Sequence, residues 1–349
     1  MSLDLVVEYV TARQNEDGGF LFARQAGYST IEDTFFAVSV LKTLGREVPR
    51  KRDVVAFLAS SQQEDGSFSS VQVARYAVEG LSLLGEHFTA GTGFRSWLLS
   101  FKRKGFWLGL KNDLSLEPFE AATALLSDTG LISEVDAEDL RRQLMSYEGP
   151  DGGFGMQHET LTNTYLAIRS LKNMGFEVRG MARDFLSACE VPRMGFSEVP
   201  NSFPPTLYDV FHGVWTASQT GYDIKEREEV RKFIMGFQNG NGGFRHFPEM
   251  GISTLEDTFY AISSYAILGP VPIRASAVQR GPTGNGDQRK KAEGKPRLNR
   301  QVKLPALLDG SRGQILEAGH LNWDGHPEEG AGHDRLAYVE AGYFFLLIR

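Results

Sequence analysis

The 349 residues are 41% hydrophobic, enough to bury a sizeable core in one large closed domain or two ordinary ones. A single cysteine, Cys189, excludes an intramolecular disulfide and any multi-cysteine metal knuckle, and it fits a reducing, cytoplasmic setting. The formal charge of -7 argues against nucleic acid as the main partner, no stretch approaches the roughly 20 apolar residues that span a bilayer, and the opening MSLDLVVEYV lacks the basic-then-apolar pattern of a signal peptide.

The first predicted elements set a pattern that returns along the chain. Gln14-Asn15-Glu16-Asp17-Gly18-Gly19-Phe20 reads as a Gly-rich turn, and 13 residues after Phe20 the segment Asp33-Thr34-Phe35-Phe36-Ala37 opens a helix. Phe35, Val38 and Leu41, with a companion set at Phe36, Val40 and Leu44, recur at three- and four-residue spacings, and Gly45 stands where a left-handed stop is expected. The second unit has its turn aromatic at Phe68 and its glycine stop at Gly85. The third is degraded, with Trp107 and Gly130; the fourth has Phe154 and Gly175, and the fifth Phe196 and Gly221. The sixth repeats the first most closely: Gln238-Asn239-Gly240-Asn241-Gly242-Gly243-Phe244, then after the same gap Asp257-Thr258-Phe259-Tyr260-Ala261, and Gly269. Spacings between turn aromatics of 48, 39, 47, 42 and 48 residues match a two-helix repeat. Intervening stretches such as 52–61 and 227–237 are apolar on one side only and read as outer helices.

An open stack of helix pairs needs polar end caps, whereas a ring does not. Units one and six are among the best-formed copies, and neither looks like a cap, so the pattern predicts closure. The expected fold is all-α, an (α/α)6 toroid over residues 1–269 with a central cavity. Residues 270–349 differ in kind: 280–303 hold eight Lys+Arg against two Asp+Glu, and this composition predicts a disordered linker and tail.

The column of predicted helix starts reads Asp33, Val73, Glu117, Asn163, Asp209 and Asp257. In a ring these converge on one rim. Two readings stand: helix capping, and, for Asp209 and Asp257 with Asp33 across the closure, binding of a hard cation such as Mg²⁺. Aromatics cluster just after the same starts, including Tyr76, Tyr165, Phe211, Trp215 and Tyr260, either as core or as walls of an apolar pocket. Arg75, His212, Arg245 and His246 are the cationic or titratable candidates near the rim, with Arg75 the first choice for an anion contact. Cys189 reads as a buried, inert thiol. His320, His326 and His333, with Asp324 and Asp334, lie in a Gly-rich stretch whose spacings match no helical pair.

The motif Q-x-x-D-G-G-F followed by D-T-x-x-A resembles the repeat of the protein prenyltransferase β-subunits and of the squalene-type triterpene cyclases, over about residues 1–269. The resemblance implies a toroid whose aromatic cavity receives an isoprenoid diphosphate, and a helical-repeat α-subunit as partner. In the transferases it also implies a zinc ion that activates an acceptor cysteine. With Trp215 as anchor, Asp209 falls on the family's Asp ligand, Phe211 on its Cys ligand and Asp257 on its His ligand, so two of three zinc ligands are replaced. The expected assignments are Asp209 and Asp257 as catalytic and metal-binding residues, for Mg²⁺ or Zn²⁺, and Arg75, Tyr76, Tyr165, Phe211, His212, Trp215 and Tyr260 as substrate-binding. A cyclase-like enzyme lacks the D-x-D-D acid motif here, and a non-catalytic lipid- or protein-binding ring is the third reading.

Overall fold

The computed structural model describes residues 3–23, 27–101 and 115–269. The third unit's turn around Trp107 and the tail from 270, with its histidines, fall outside the described residues. Twelve α-helices occur among the described residues: α1 Leu3–Thr11, α2 Ile31–Thr43, α3 Lys51–Ala59, α4 Val71–Leu83, α5 Thr92–Leu99, α6 Glu117–Asp128, α7 Ala137–Met145, α8 Leu161–Asn173, α9 Arg183–Cys189, α10 Leu207–Thr220, α11 Arg227–Met235 and α12 Leu255–Leu268. A two-stranded hairpin, β1 Glu190–Val191 and β2 Gly195–Phe196, pairs Glu190 with Phe196 and forms the turn of the fifth unit.

The even-numbered helices pack in sequence: α2 on α4, α4 on α6, α6 on α8, α8 on α10, α10 on α12, and α12 back on α2. The ring closes, as the quality of the first and last repeats predicts. Burial separates the two layers. Each inner helix buries nine or more residues on all sides, whereas α3, α5, α7 and α11 each bury one pair four residues apart, such as Val54 with Leu58 and Val230 with Ile234. One stripe per two turns suits a helix with a single packed face.

The repeated motif has a structural cause at each letter. Phe20, Phe154 and Phe244 bridge back to Gln14, Glu148 and Gln238 and forward to Thr30, Thr160 and Thr254. The amide of each donates to a threonine hydroxyl on the following inner helix: Phe20 to Thr34 at 2.9 Å, Phe154 to Thr164 at 2.9 Å, Phe244 to Thr258 at 3.1 Å. That hydroxyl donates in turn to the carbonyl of the helix cap, at 2.6 Å for Thr258 to Thr254. The Thr of Asp-Thr therefore fastens turn to helix. Thr258→Val keeps the shape but leaves a buried amide unpaired, and should cost about 1–3 kcal/mol, read as a lower urea midpoint with unchanged slope.

The small residue that ends the motif also has a reason. At Gly213 an added Cβ would stand 2.1 Å from the ring of Phe196, so the turn aromatic of this unit lies directly on the helix backbone. The other units carry Ala37, Ala77, Ala121, Ala167 and Ala261 in this register.

The capping assignment needs correction. The N-caps are Thr30, Ser70, Thr160, Thr206 and Thr254, and Asp33, Asn163, Asp209 and Asp257 stand three residues later, inside the first turn. Thr206 and Asp209 form a reciprocal capping box, with the Asp209 amide donating to Thr206 Oγ1 at 3.2 Å and the Thr206 amide donating to Asp209 Oδ2 at 2.8 Å. The α6 helix departs from the column: it begins at Glu117 itself, with Leu116 as cap and Pro118 in its first turn. All six glycine stops take a positive φ, and Gly221 ends α10 in the left-handed conformation at φ 73°, whereas Gly269 ends α12 at φ 59° and ψ 172°, outside the left-handed helical region.

Candidate functional site: an aromatic belt under a titratable rim

The N-terminal ends of the inner helices gather at one end of the ring, and their aromatics touch in series. Tyr76 on α4 meets Phe35 on α2 at 5.3 Å between ring centroids, Phe36 meets Phe259 on α12 at 5.4 Å, Tyr260 meets Phe211 on α10 at 4.9 Å, and Phe211 meets Tyr165 on α8 at 5.8 Å. Tyr165 stacks on His212 at 4.3 Å and meets Trp215 edge-on at 4.9 Å. Five of the six inner helices thus share one aromatic belt, and the seven expected substrate-binding residues except Arg75 all belong to it.

The belt is closed. Arg75, Tyr76, Tyr165, Phe211, His212, Trp215 and Tyr260 are each 2% exposed or less. At this level the rings of neighbouring helices touch around the belt and leave almost none of their own surface accessible. Burial also pushes His212 down to about 3, so its imidazole is neutral at physiological pH.

Where α6 interrupts the belt, charges take over. Arg75 Nε lies 3.2 Å from Glu79, Arg75 Nη1 lies 2.9 Å from Glu120, and Arg169 Nε lies 3.1 Å from Glu120. Arg169 also donates to the Tyr165 hydroxyl at 2.8 Å, and Asn173 donates to Glu120 at 3.2 Å. Arg75 therefore meets carboxylates on α4 and α6 inside the ring, a pairing that sequence reading missed.

Above the belt stands the rim. Burial raises the carboxyl of Asp209, against the hydrogen bonds from Thr206 that favour its charge, and raises Asp33 to about 6. Glu256, which accepts from Tyr260 at 3.0 Å, is pushed up to about 8 by burial and by Asp257 beside it. Burial also raises Glu32 on α2, with Glu256 and Glu117 adding to the effect. Sequence reading passed over Glu32 and Glu256, although each directly precedes a motif Asp. Asp257 is itself anchored twice: Oδ2 accepts from Thr254 at 2.7 Å, and Oδ1 lies 3.1 Å from His246 Nδ1. Burial disfavours the His246 imidazolium, but the hydrogen bond and the charges of Asp257, Glu256 and Asp209 outweigh it and raise the ring above its ordinary value.

Asp209 and Asp257 do stand on neighbouring helices at this rim. Among the described residues, however, no three His, Cys, Asp or Glu side chains converge closely enough to hold a metal ion. Cys189 is buried, and desolvation pushes its thiol up to about 12, which suits the inert reading. No helix among the described residues is long and apolar enough to cross a membrane.

A closed ring of six helix pairs, with its aromatics gathered at one end, defines a helical toroid. The sequence matches the prenyltransferase alpha-alpha toroid domain over residues 3–77, 74–204 and 201–283, and the chain belongs to that family. It is 22% identical over 259 residues to the geranylgeranyl transferase type-1 subunit beta of Arabidopsis thaliana, an alignment covering 69% of this chain. The matched part is 59% of that relative's length. Among solved structures it resembles Candida albicans protein geranylgeranyltransferase-I complexed with GGPP, with a TM-score of 0.60, 11% identity and coverage of 76% of this chain and 91% of that one. The type II terpene cyclase MstE from Scytonema gives a TM-score of 0.50 at 11% identity, over 76% and 96% of the two chains. At these identities the structural likeness speaks for the fold alone.

Proposed function

We propose that this toroid binds an isoprenoid diphosphate, with the prenyl chain against the belt and the diphosphate at the rim, and that it acts as a prenyltransferase β-subunit-like protein beside a helical-repeat partner chain. The observation that carries the reading is the continuous aromatic belt at one end of a ring of this family. An isoprenoid offers the apolar, polarisable surface that such rings contact, and it takes its place by turning rings such as Phe211 and Tyr260 aside.

The metal implied by the resemblance does not suit the residues present. Zinc takes nitrogen and sulfur donors in a tetrahedron. By the resemblance the position of the thiolate falls on Phe211, which cannot ligate, and Asp209 and Asp257 already serve the first turns of their own helices. No step is therefore derived through Zn²⁺ or Mg²⁺.

Titration of the full chain with farnesyl and geranylgeranyl diphosphate, followed by isothermal calorimetry, tests the reading. Saturable binding is expected, weakened roughly tenfold by Tyr260→Ala, the scale of one lost aromatic contact. Absence of binding by either diphosphate rejects it. The closed belt would then favour the alternative of a ring that keeps the fold without the chemistry and binds a lipid or protein elsewhere.

A further inference from the structure

The Gly-rich turn of the sixth unit differs from its sisters at one chemical point. In units one, two and four the turn carries an aspartate, Asp17, Asp65 or Asp151. Its Oδ1 accepts from the amide two residues on: Gly19 at 2.9 Å, Ser67 at 2.9 Å and Gly153 at 3.1 Å. Unit six places Asn241 there, with Oδ1 accepting from the Gly243 amide at 3.1 Å and from Ser253 Oγ at 2.9 Å. Asn241 is exposed, and it is followed by Gly242, which has no Cβ to shield its own amide from the asparagine Cγ. Two donors on Oδ1 draw electrons from Cγ and are placed to hold the charge that collects on that oxygen when a nucleophile adds. Nδ2, the group that must leave, has no hydrogen-bond partner among the described residues. Asn239-Gly240 is the other Asn-Gly pair within residues 1–269, and it is held differently. Asn239 Nδ2 donates to Ser253 Oγ at 2.9 Å and to the Gly251 carbonyl at 3.3 Å, and its Oδ1 accepts from Arg245 at 2.8 Å.

We propose that Asn241 is a site of spontaneous deamidation, and that its isoaspartate product loosens the closure of the ring. The Gly242 nitrogen gives up its 3.0 Å hydrogen bond to the Asn239 carbonyl, loses its proton to solvent and bonds to Asn241 Cγ. The Cγ–Nδ2 bond breaks, and the nitrogen takes a proton from solvent and leaves as ammonia. Water then opens the five-membered imide. Attack at Cγ gives aspartate, the residue that three sister turns already use. Attack at the backbone carbonyl gives isoaspartate, in which the main chain runs through Cβ and Cγ and is one carbon longer. The turn has no room for that carbon. A Cβ added at Gly242 would lie 2.2 Å from the Leu5 carbonyl oxygen, and one added at Gly243 would lie 2.5 Å from the Tyr9 ring, so α1 sits directly on this turn. The same helix packs on α2, and it therefore joins the first unit to the sixth. A lengthened turn lifts α1 from that seat, whereas aspartate leaves it in place.

The test incubates the full chain in mildly alkaline buffer and maps its peptides by mass spectrometry, with fragmentation that separates aspartate from isoaspartate. The amide-to-acid mass gain is expected at Asn241 several-fold faster than at Asn239, while a short peptide of the same sequence converts at both positions at comparable rates. Protein carrying isoaspartate should unfold several degrees below fresh protein. Asn241→Asp, the variant with the other product built in, should keep the fresh midpoint. Asn239 converting as fast as Asn241 in the folded chain, or an Asn241 that stays intact while the peptide converts, overturns the site. Isoaspartate-bearing protein with the fresh midpoint, or an Asn241→Asp variant that falls as far, overturns the effect on closure.

Discussion

Glu120→Leu is expected to lose about 3–5 kcal/mol of folding free energy, the largest single-residue effect in this ring. Glu120 is fully buried and lies between two guanidinium groups, 2.9 Å from Arg75 and 3.1 Å from Arg169. Removing it leaves both cations desolvated, with Glu79 as their remaining carboxylate partner in the cluster, at 3.2 Å from Arg75 and 3.9 Å from Arg169. Chemical denaturation reads the loss as a lower midpoint, and a loss below about 1 kcal/mol would show that the cluster is not what holds α4, α6 and α8 together. Replacing all four residues together with methionine and leucine should be far milder than the single change, since a buried ion cluster exchanged for packed hydrophobic groups is often neutral or better.

Acidification from pH 8.5 to 6.5 should stabilise the fold, against the common behaviour of proteins whose carboxylates are paired at the surface. Burial pushes Glu79 up to about 8, with Arg75 and Arg169 offsetting only part of the effect. An unfolded glutamate titrates near ~4.3, so the folded state binds this proton more tightly. The stability it contributes is complete below the unfolded value and is lost as pH rises through about 8. Glu256 and Glu198 are also pushed up to about 8 by burial and act in the same sense. His212 acts the other way: depressed to about 3, it costs stability as pH falls below its ordinary value near ~6.5. The gain therefore starts near pH 8 and continues below 6.5 with a shallower slope, since His212 offsets only one of the three glutamates. The thermal midpoint should climb by several degrees on going from pH 8.5 to 6.5, and Glu79→Gln should remove a large part of the slope. A midpoint that falls on going from pH 8.5 to 6.5 contradicts the assignment.

The ring was legible because each repeat writes its own joints. The Gly-Phe turn, the Asp-Thr pair and the small residue four positions after the Asp are all local, and each answers to a contact visible in the folded chain. Closure was legible from the same source, since Phe20 and Phe244 stand in matching surroundings. What escaped is what forms between units. Arg75, Glu120 and Arg169 are more than 40 residues apart along the chain, and nothing in the local pattern of one helix announces a partner on the next. The closed belt escaped for a similar reason: alternating apolar positions mark Phe36, Phe211 and Tyr260 as inward, but whether they meet or leave a hollow depends on their summed volumes. The cap was misplaced by one turn because Asp and Thr are both good caps, and only the backbone angles decide between Thr206 and Asp209.

Closure of α12 upon α2 binds the two extremes of the toroid into one act of folding. The apolar flank of α2, with Phe35 and Phe36, leaves the ribosome more than 220 residues before Phe259 and Tyr260, which pack on it. A nascent chain must shelter that flank throughout the synthesis of the intervening repeats, so the demand for chaperone protection falls on the first repeat and is relieved only by the sixth.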